Sequence, residues 1–368
     1  MTEEPPRLLH TSATAVDHGG RKLIYFGGSD YFRLAWDRRV RLAFSKTAAK
    51  YGHNLSASRM TTGNHPLYGE LEEALATFLQ FPCTVVTPTG YSASLVAGQI
   101  MKGRISYALV DEKAHACVKD GAVLSGAKII SFPHRDVRAL KKLVGRFAHR
   151  GSLGIFTDGL SAHDGSVAPL AEYLPLLPRD GWMMVDDAHG IGTIGETGRG
   201  ALEWTGVKDS RIIQTLTLSK AIGSYGGAIA GPAWLREAVQ QRSRLFSGGS
   251  PPGLPYVGAA LRSLEILQRE GRALRSKLAA NTHVVRGSLD LPCPSDVLPP
   301  GPTLAIAPKN DAQQRRLTKA LLEAGIYPSL IRYAGGPSAQ FFRLSISSAH
   351  TQNELKLLTS ALSCLQSG

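Results

Sequence analysis

Trp182-Met183-Met184-Val185-Asp186-Asp187-Ala188-His189-Gly190 is the stretch from which the rest of the chain can be read. Four apolar or aromatic residues in a row read as a buried strand. Acids follow at its C-terminal end. In open α/β sheets that end is where ligands bind. The bland alternative is that Asp186 or Asp187 only caps the next turn.

Outward from this stretch, short β-rich runs alternate with helical patterns. Residues 84–87, 107–111, 128–132, 154–157, 182–185 and 212–216 read as strands. Helices are expected after Gly90, near His115, and after Asp136, an N-cap with Val137, Leu140 and Val144 on one face. Such alternation implies an α/β fold, a mostly parallel sheet covered by helices. The pattern changes after Ser250-Pro251-Pro252-Gly253. A long helix at 256–280, strands at 303–307 and 342–346, and helices at 311–324 and from Gln352 read as a smaller C-terminal α/β domain. The expected division is an N-terminal arm at 1–44, a large domain at 45–255 and a small domain at 256–368.

Composition narrows the function classes. The 368 residues are 43% hydrophobic, enough for a substantial interior, and no apolar run has the length of a membrane span. The start, MTEEPPRLLH, has no basic segment followed by an apolar core, so it does not read as a secretory signal. Cys83, Cys117, Cys293 and Cys364 form no C-x-x-C pair, so neither a metal site nor a disulfide framework is expected, and a cytoplasmic setting is the default. The net charge of +13 favours anions. There is no zinc-finger spacing and no aromatic RNA-binding signature, so nucleic acid is not expected as a partner. Clusters such as Leu140-Lys141-Lys142-Leu143 and Arg242-Ser243-Arg244 read as solvated faces, or more sharply as a docking surface for coenzyme A phosphates or an acidic carrier protein.

Three further stretches carry chemistry. In Thr215-Leu216-Thr217-Leu218-Ser219-Lys220-Ala221-Ile222-Gly223 a lysine sits just past an apolar strand. A buried ammonium is costly, so such a lysine suits Schiff-base chemistry, which needs a lowered pKa. The alternative is a lysine that snorkels to the surface. In Thr87-Pro88-Thr89-Gly90-Tyr91-Ser92-Ala93-Ser94 a strand ends and a helix begins, and free N–H groups there can hold a phosphate. An ordinary glycine turn is the alternative. In Asp111-Glu112-Lys113-Ala114-His115 a histidine opens a helix. Alone it reads as structural.

Together these elements have the chain order of a fold-type I pyridoxal-phosphate enzyme. Val185-Asp186-Asp187-Ala188-His189-Gly190-Ile191-Gly192, Gly195-Glu196-Thr197-Gly198-Arg199-Gly200 and Thr217-Leu218-Ser219-Lys220-Ala221-Ile222-Gly223 resemble the α-oxoamine synthases, and within them the 8-amino-7-oxononanoate synthase branch. The resemblance runs from about Tyr25 to the last helix and includes Ala168-Pro169-Leu170, Phe246-Ser247 with Pro251-Pro252, and Phe342-Arg343-Leu344-Ser345 with Ala349-His350. It implies a fold-type I aminotransferase-like homodimer with sites at the subunit interface and pyridoxal 5'-phosphate as cofactor. By position, Lys220 matches the lysine that holds the cofactor, and Asp186 the carboxylate paired with the pyridine nitrogen. His189 matches the donor to the ring's phenolic oxygen, and His115 the histidine stacked on the ring. Gly90 and Tyr91 match the phosphate loop, Thr217 a threonine near the cofactor, and Arg343 the clamp for the amino-acid carboxylate.

Several positions depart from the family pattern. Ser29 stands where an asparagine helps hold substrate, Tyr68 where a histidine opens a motif, and Ala162 where a serine lies beside the cofactor. Gly248 replaces a threonine that reaches the partner subunit's phosphate, leaving Ser247 or Ser250 as substitutes. The implied reaction joins an amino acid to an acyl thioester with loss of carbon dioxide, L-alanine and a pimeloyl thioester of coenzyme A or a carrier protein being the best match. A sister synthase using glycine or serine, or a non-condensing relative acting through its basic surface, stays open.

Overall fold

The computed structural model describes residues 4–289, 300–332 and 336–365. The chain opens with a three-stranded antiparallel sheet, β1 (Leu9–Ser12), β2 (Ala15–His18) and β3 (Arg21–Ile24). The strands β4 (Cys83–Thr87), β5 (Tyr107–Asp111), β6 (Lys128–Phe132), β7 (Leu153–Asp158), β8 (Trp182–Asp186), β9 (Ile212–Thr217) and β10 (Gly227–Gly231) then build a seven-stranded sheet in the order β4-β10-β9-β8-β7-β5-β6. The four strands from β9 to β5 and their neighbour β6 pair in parallel, and β10 runs antiparallel to both β4 and β9. All residues of β4, β9 and β10 are buried, as a sheet covered on both faces requires.

The helices expected after Gly90, near His115 and after Asp136 form where the sequence marks them. Asp136 caps the helix Val137–Phe147 by accepting from the Ala139 N–H, and Leu140, Val144 and Phe147 turn inward. The strand β10 has no counterpart among the expected elements. Its sequence, Gly-Ala-Ile-Ala-Gly, has little apolar bulk. Small residues are what its place demands: a Cβ at Gly227 would lie 2.3 Å from the Thr89 carbonyl oxygen.

The helix Leu254–Gly287 is longer than the expected 256–280 and ties two cores together. Its Leu254, Val257, Ala260, Leu264 and Leu267 pack in the large lobe. Its Val285 packs in the small lobe with Leu304, Leu344, Leu355 and Leu358. That lobe holds β11 (Thr303–Ile306), β12 (Leu330–Ile331) and β13 (Phe341–Ser345) in the order β11-β13-β12, with the helices Asp311–Glu323 and Gln352–Leu362. The expected domain limits at 44/45 and 255/256 both fall inside helices, Arg38–Tyr51 and Leu254–Gly287. The first residues are also more than an arm. Ile24 bridges to Ile326 and accepts the Tyr327 N–H at 2.9 Å, so the N-terminal sheet is joined to the small lobe.

Candidate active site

Five parallel-running strands deliver chemistry to one edge of the sheet. Past the C-terminal ends of β4, β5, β7, β8 and β9 lies a cavity of about 230 Å³. Its lining includes Gly90, His115, Asp158, Asp186, His189 and Lys220. A larger cavity, about 720 Å³, is elsewhere, between Leu79, Phe81, Leu202 and Pro232, and holds none of these groups.

Asp186 and Asp187 alternate in direction at the end of β8. Asp186 faces the cavity. Its Oδ2 accepts from Ser94 Oγ at 2.9 Å and Cys117 Sγ at 3.3 Å, and its Oδ1 from the Ala188 N–H at 3.0 Å. Asp187 turns away and is fully buried. It accepts from the Ala201 N–H at 2.7 Å and Gln214 Nε2 at 2.9 Å, and burial pushes its carboxyl up to about 7. One aspartate serves the cavity and the other pins the turn beneath it.

Lys220 lines the same cavity. Desolvation lowers its ammonium to about 8, while the charge of Asp186 acts the other way. The His189 Nδ1 is 2.5 Å from the Tyr31 hydroxyl, which also meets Thr303 Oγ1 at 3.2 Å. Nδ1 is thereby engaged, and Nε2 is the nitrogen that can meet a ligand. Burial first, then the charge of Lys220, holds the His189 imidazole well below its usual pKa, so the ring is neutral.

His115 caps the helix Ala116–Leu124: its Nδ1 accepts the Cys117 N–H at 3.2 Å and lies 2.9 Å from Cys117 Sγ. Thr89 and Ser92 form a capping box at the start of the helix Gly90–Ile100. That box takes up the N–H groups of Thr89 and Ser92. Gly90 opens the first turn, where a helix offers its N–H groups no acceptor of its own. Gly90 also has to be glycine, because a Cβ would lie 2.7 Å from Thr217 Cβ. Thr217 Oγ1 is 2.8 Å from Ser219 Oγ, and both residues line the cavity.

The remaining expected residues are placed less directly. Arg343, on β13, is outside the lining of the cavity, yet its positive charge acts on Lys220, His115 and His189. Ser29 meets the same Tyr31 hydroxyl that engages His189. Ser250 is exposed and is not brought to the cavity by its own chain. A Cβ at Gly248 would stand in open space. Ala162 lines the cavity, and the Tyr68 hydroxyl donates to the Pro252 carbonyl at 2.8 Å. Sequence reading missed Asp158, Cys117 and Tyr31. Only Asp158 left a signal, an acid at the end of an apolar run like Asp186.

A phosphorylated pyridine aldehyde fits this donor set. The cavity is lined by a helix start suited to a phosphate, an aspartate suited to a ring nitrogen and a lysine of lowered pKa. Among the described residues no cluster could hold a metal ion, and no helix is long and apolar enough to cross a membrane. Cys83, Cys117 and Cys364 are free thiols, and Cys293 lies outside the described residues.

Comparison with known proteins agrees. The sequence profile of the aminotransferase class I and II family matches residues 29–362. An 8-amino-7-oxononanoate synthase of Aromatoleum aromaticum is 33% identical over 352 residues, 94% of this chain and 90% of that protein. One from Nitrosospira multiformis is 32% identical over 373 residues, 98% of this chain and 90% of that protein. A solved serine palmitoyltransferase from S. paucimobilis with bound pyridoxal phosphate and myriocin superimposes with a TM-score of 0.89 at 25% identity, covering 98% of this chain and 92% of that one. With a matching profile over most of its length, relatives along nearly all of it and a fold shared with a pyridoxal-phosphate enzyme, the chain belongs to the fold-type I α-oxoamine synthases, pyridoxal-phosphate-dependent acyltransferases of the aminotransferase class I and II family.

Proposed function

We propose that this enzyme condenses L-alanine with a pimeloyl thioester of coenzyme A or a carrier protein, giving an α-amino ketone, 8-amino-7-oxononanoate, on the way to biotin. The observation that carries the reading is the identity of 33% along 94% of the chain with a protein of that name, on top of a cavity lined by Lys220, Asp186, His189 and His115.

Pyridoxal phosphate, when bound, supplies a carbonyl carbon for the amino group and a protonated ring that draws off electron density. Asp186, held by three donors, keeps the ring nitrogen protonated. His189 would offer Nε2 to the cofactor's phenolic oxygen, and His115 would cover its ring. Arg343 grips the amino-acid carboxylate through a two-pronged guanidinium. Lys220 Nζ takes the proton from the amino acid's α-carbon, and its lowered pKa suits that exchange near neutrality. The exposed carbon attacks the thioester carbonyl, the thiolate leaves and takes up a proton, and the carboxylate departs as carbon dioxide, after which the α-carbon is reprotonated.

A second reading has one observation behind it. The overlap with a serine palmitoyltransferase would fit serine and a longer acyl chain. The test is a grid of alanine, glycine and serine against thioesters of increasing length, read by product mass and thiol release. Alanine with the pimeloyl thioester is expected to give the highest kcat/KM. A clear preference for serine with a long chain would move the enzyme to the sister activity, and cofactor binding without thiol release would make it a non-condensing relative.

A further inference from the structure

The strands β7 and β8 are parallel neighbours, and Asp158 stands opposite Asp186 in their register. Adjacent strands lie roughly 4.8 Å apart, and residues in register point to the same face. Both carboxyls line the cofactor cavity. Two anions this close, one of them buried, repel strongly, so one of them retains a proton.

The donors decide which. Asp186 receives three, from Ser94, Cys117 and Ala188. Among the described residues Asp158 receives one, the His115 main-chain N–H, shared between its two oxygens at 3.0 and 3.3 Å. Hydrogen bonds to a carboxylate favour its ionised form, so the richer set belongs to the anion. We propose that Asp158 is a positioning residue that works as a neutral carboxylic acid: it holds the His115 main chain, and with it the ring over the cavity, and leaves Asp186 as the only carboxylate anion facing the cofactor.

The surroundings agree. Burial pushes the Asp158 carboxyl well above the usual range, and the charge of Asp186 pushes it further. The other groups bearing on it are Asp111 from β5, which acts the same way, and Lys220, which opposes. Asp186 is in turn faced by His115 and Cys117 from the start of their helix and by Lys220, with Asp187 adjoining it on the far side. Arg343 adds its charge from β13.

The inference rests on the proposed roles of His115 and Asp186, and Asp186→Asn serves as the control for those roles. Asparagine has the shape and charge of a protonated aspartate. In Asp158→Ala the buried N–H loses its acceptor, and cofactor affinity is expected to fall about tenfold to a hundredfold. Asp158→Asn is expected to recover most of that loss. It should also leave the pH titration of the bound cofactor's visible absorption within about 0.3 unit of wild type, since no charge is removed. An anionic Asp158 would stabilise the protonated cofactor–lysine linkage, so its removal would shift the titration down by about one unit or more. That shift, or an Asn variant as weak as the Ala variant, overturns the proposal. If the variants fail to fold, the wild-type holoenzyme decides by infrared spectroscopy at about pH 9, two units above Asp187. A protonated buried carboxyl band is expected there, and its absence rejects a neutral Asp158. Full cofactor affinity in Asp186→Asn would instead mark failure of the Asp186 assignment, a separate result.

Discussion

At the scale of single residues, Lys220 joins sequence, environment and chemistry. Its place just past a buried strand made it a candidate, and the cavity removes enough water to lower its ammonium to about 8. Only the neutral amine can attack the cofactor's aldehyde. Below the folded pKa the amine is mostly protonated, so capture of pyridoxal phosphate by apoprotein is expected to quicken about tenfold per pH unit and level off above about 8. A lysine with an ordinary pKa would keep gaining until about 10.4. Stopped-flow absorbance between pH 6 and about 10 separates the two, and a rate still climbing at the upper end would show that Lys220 is not desolvated. Borohydride reduction should fix the cofactor to the Lys220 peptide. Asp186 and Lys220 were legible because each follows a strand whose apolar run is obvious. Asp158 was not. Its acid precedes Gly159, which reads as a plain turn, and its meaning comes from its register with Asp186, a long-range fact. Tyr31 was hidden for a similar reason: its contact with His189 spans 158 residues of chain.

At the scale of elements, strands with bulky apolar runs were legible and β10 was not. Two-sided burial selects bulk in β8, whereas close approach to Thr89 selects against it in β10. The strand β13 shows how alternation turns into function. Phe342 and Leu344 are fully buried against Leu355, Leu358 and Leu362 of the helix Gln352–Leu362. Arg343 therefore belongs to the opposite face, and its charge is felt by Lys220, His115 and His189. A carboxylate clamp needs such a placement, on a rigid strand whose charge reaches Lys220 from the other lobe. Arg343→Ala is expected to keep the cofactor's absorbance and to weaken alanine binding by about 2–4 kcal/mol, the scale for removing one partner of a buried charged pair. Arg343→Lys should recover only part, because an ammonium lacks the planar fork. Spectral titration with alanine reads both variants. Unchanged affinity in a folded Arg343→Ala would return this arginine to a structural role.

At the scale of the whole molecule, the one-chain cavity leaves room for a second copy. Tyr225 lines it and is 47% exposed, and Tyr256 is 41% exposed, so an exposed aromatic surface adjoins the cavity. These rings lie 5.3 Å apart, and Phe44 meets Tyr256 at 5.1 Å. Contiguous exposed aromatics beside a site mark an interaction surface. We infer that a second subunit covers this patch in a homodimer and brings its Ser250 to the phosphate, which would explain why Ser250 is solvent-exposed in its own chain. A glutamate placed in such an interface is left unpaired and desolvated, which costs several kcal/mol. Tyr256→Glu is therefore expected to sediment as a monomer and, having lost the partner's contribution, to bind pyridoxal phosphate at least about tenfold more weakly, in line with loss of a hydrogen bond to a charged group. Ser250→Ala separates the two effects: it should remain a dimer and still lose cofactor affinity, because a hydroxyl-to-phosphate bond is charge-assisted. A Tyr256→Glu monomer with full cofactor affinity would show that each chain completes its own site. A Ser250→Ala dimer with full affinity would leave the dimer standing and take Ser250 out of the phosphate's reach.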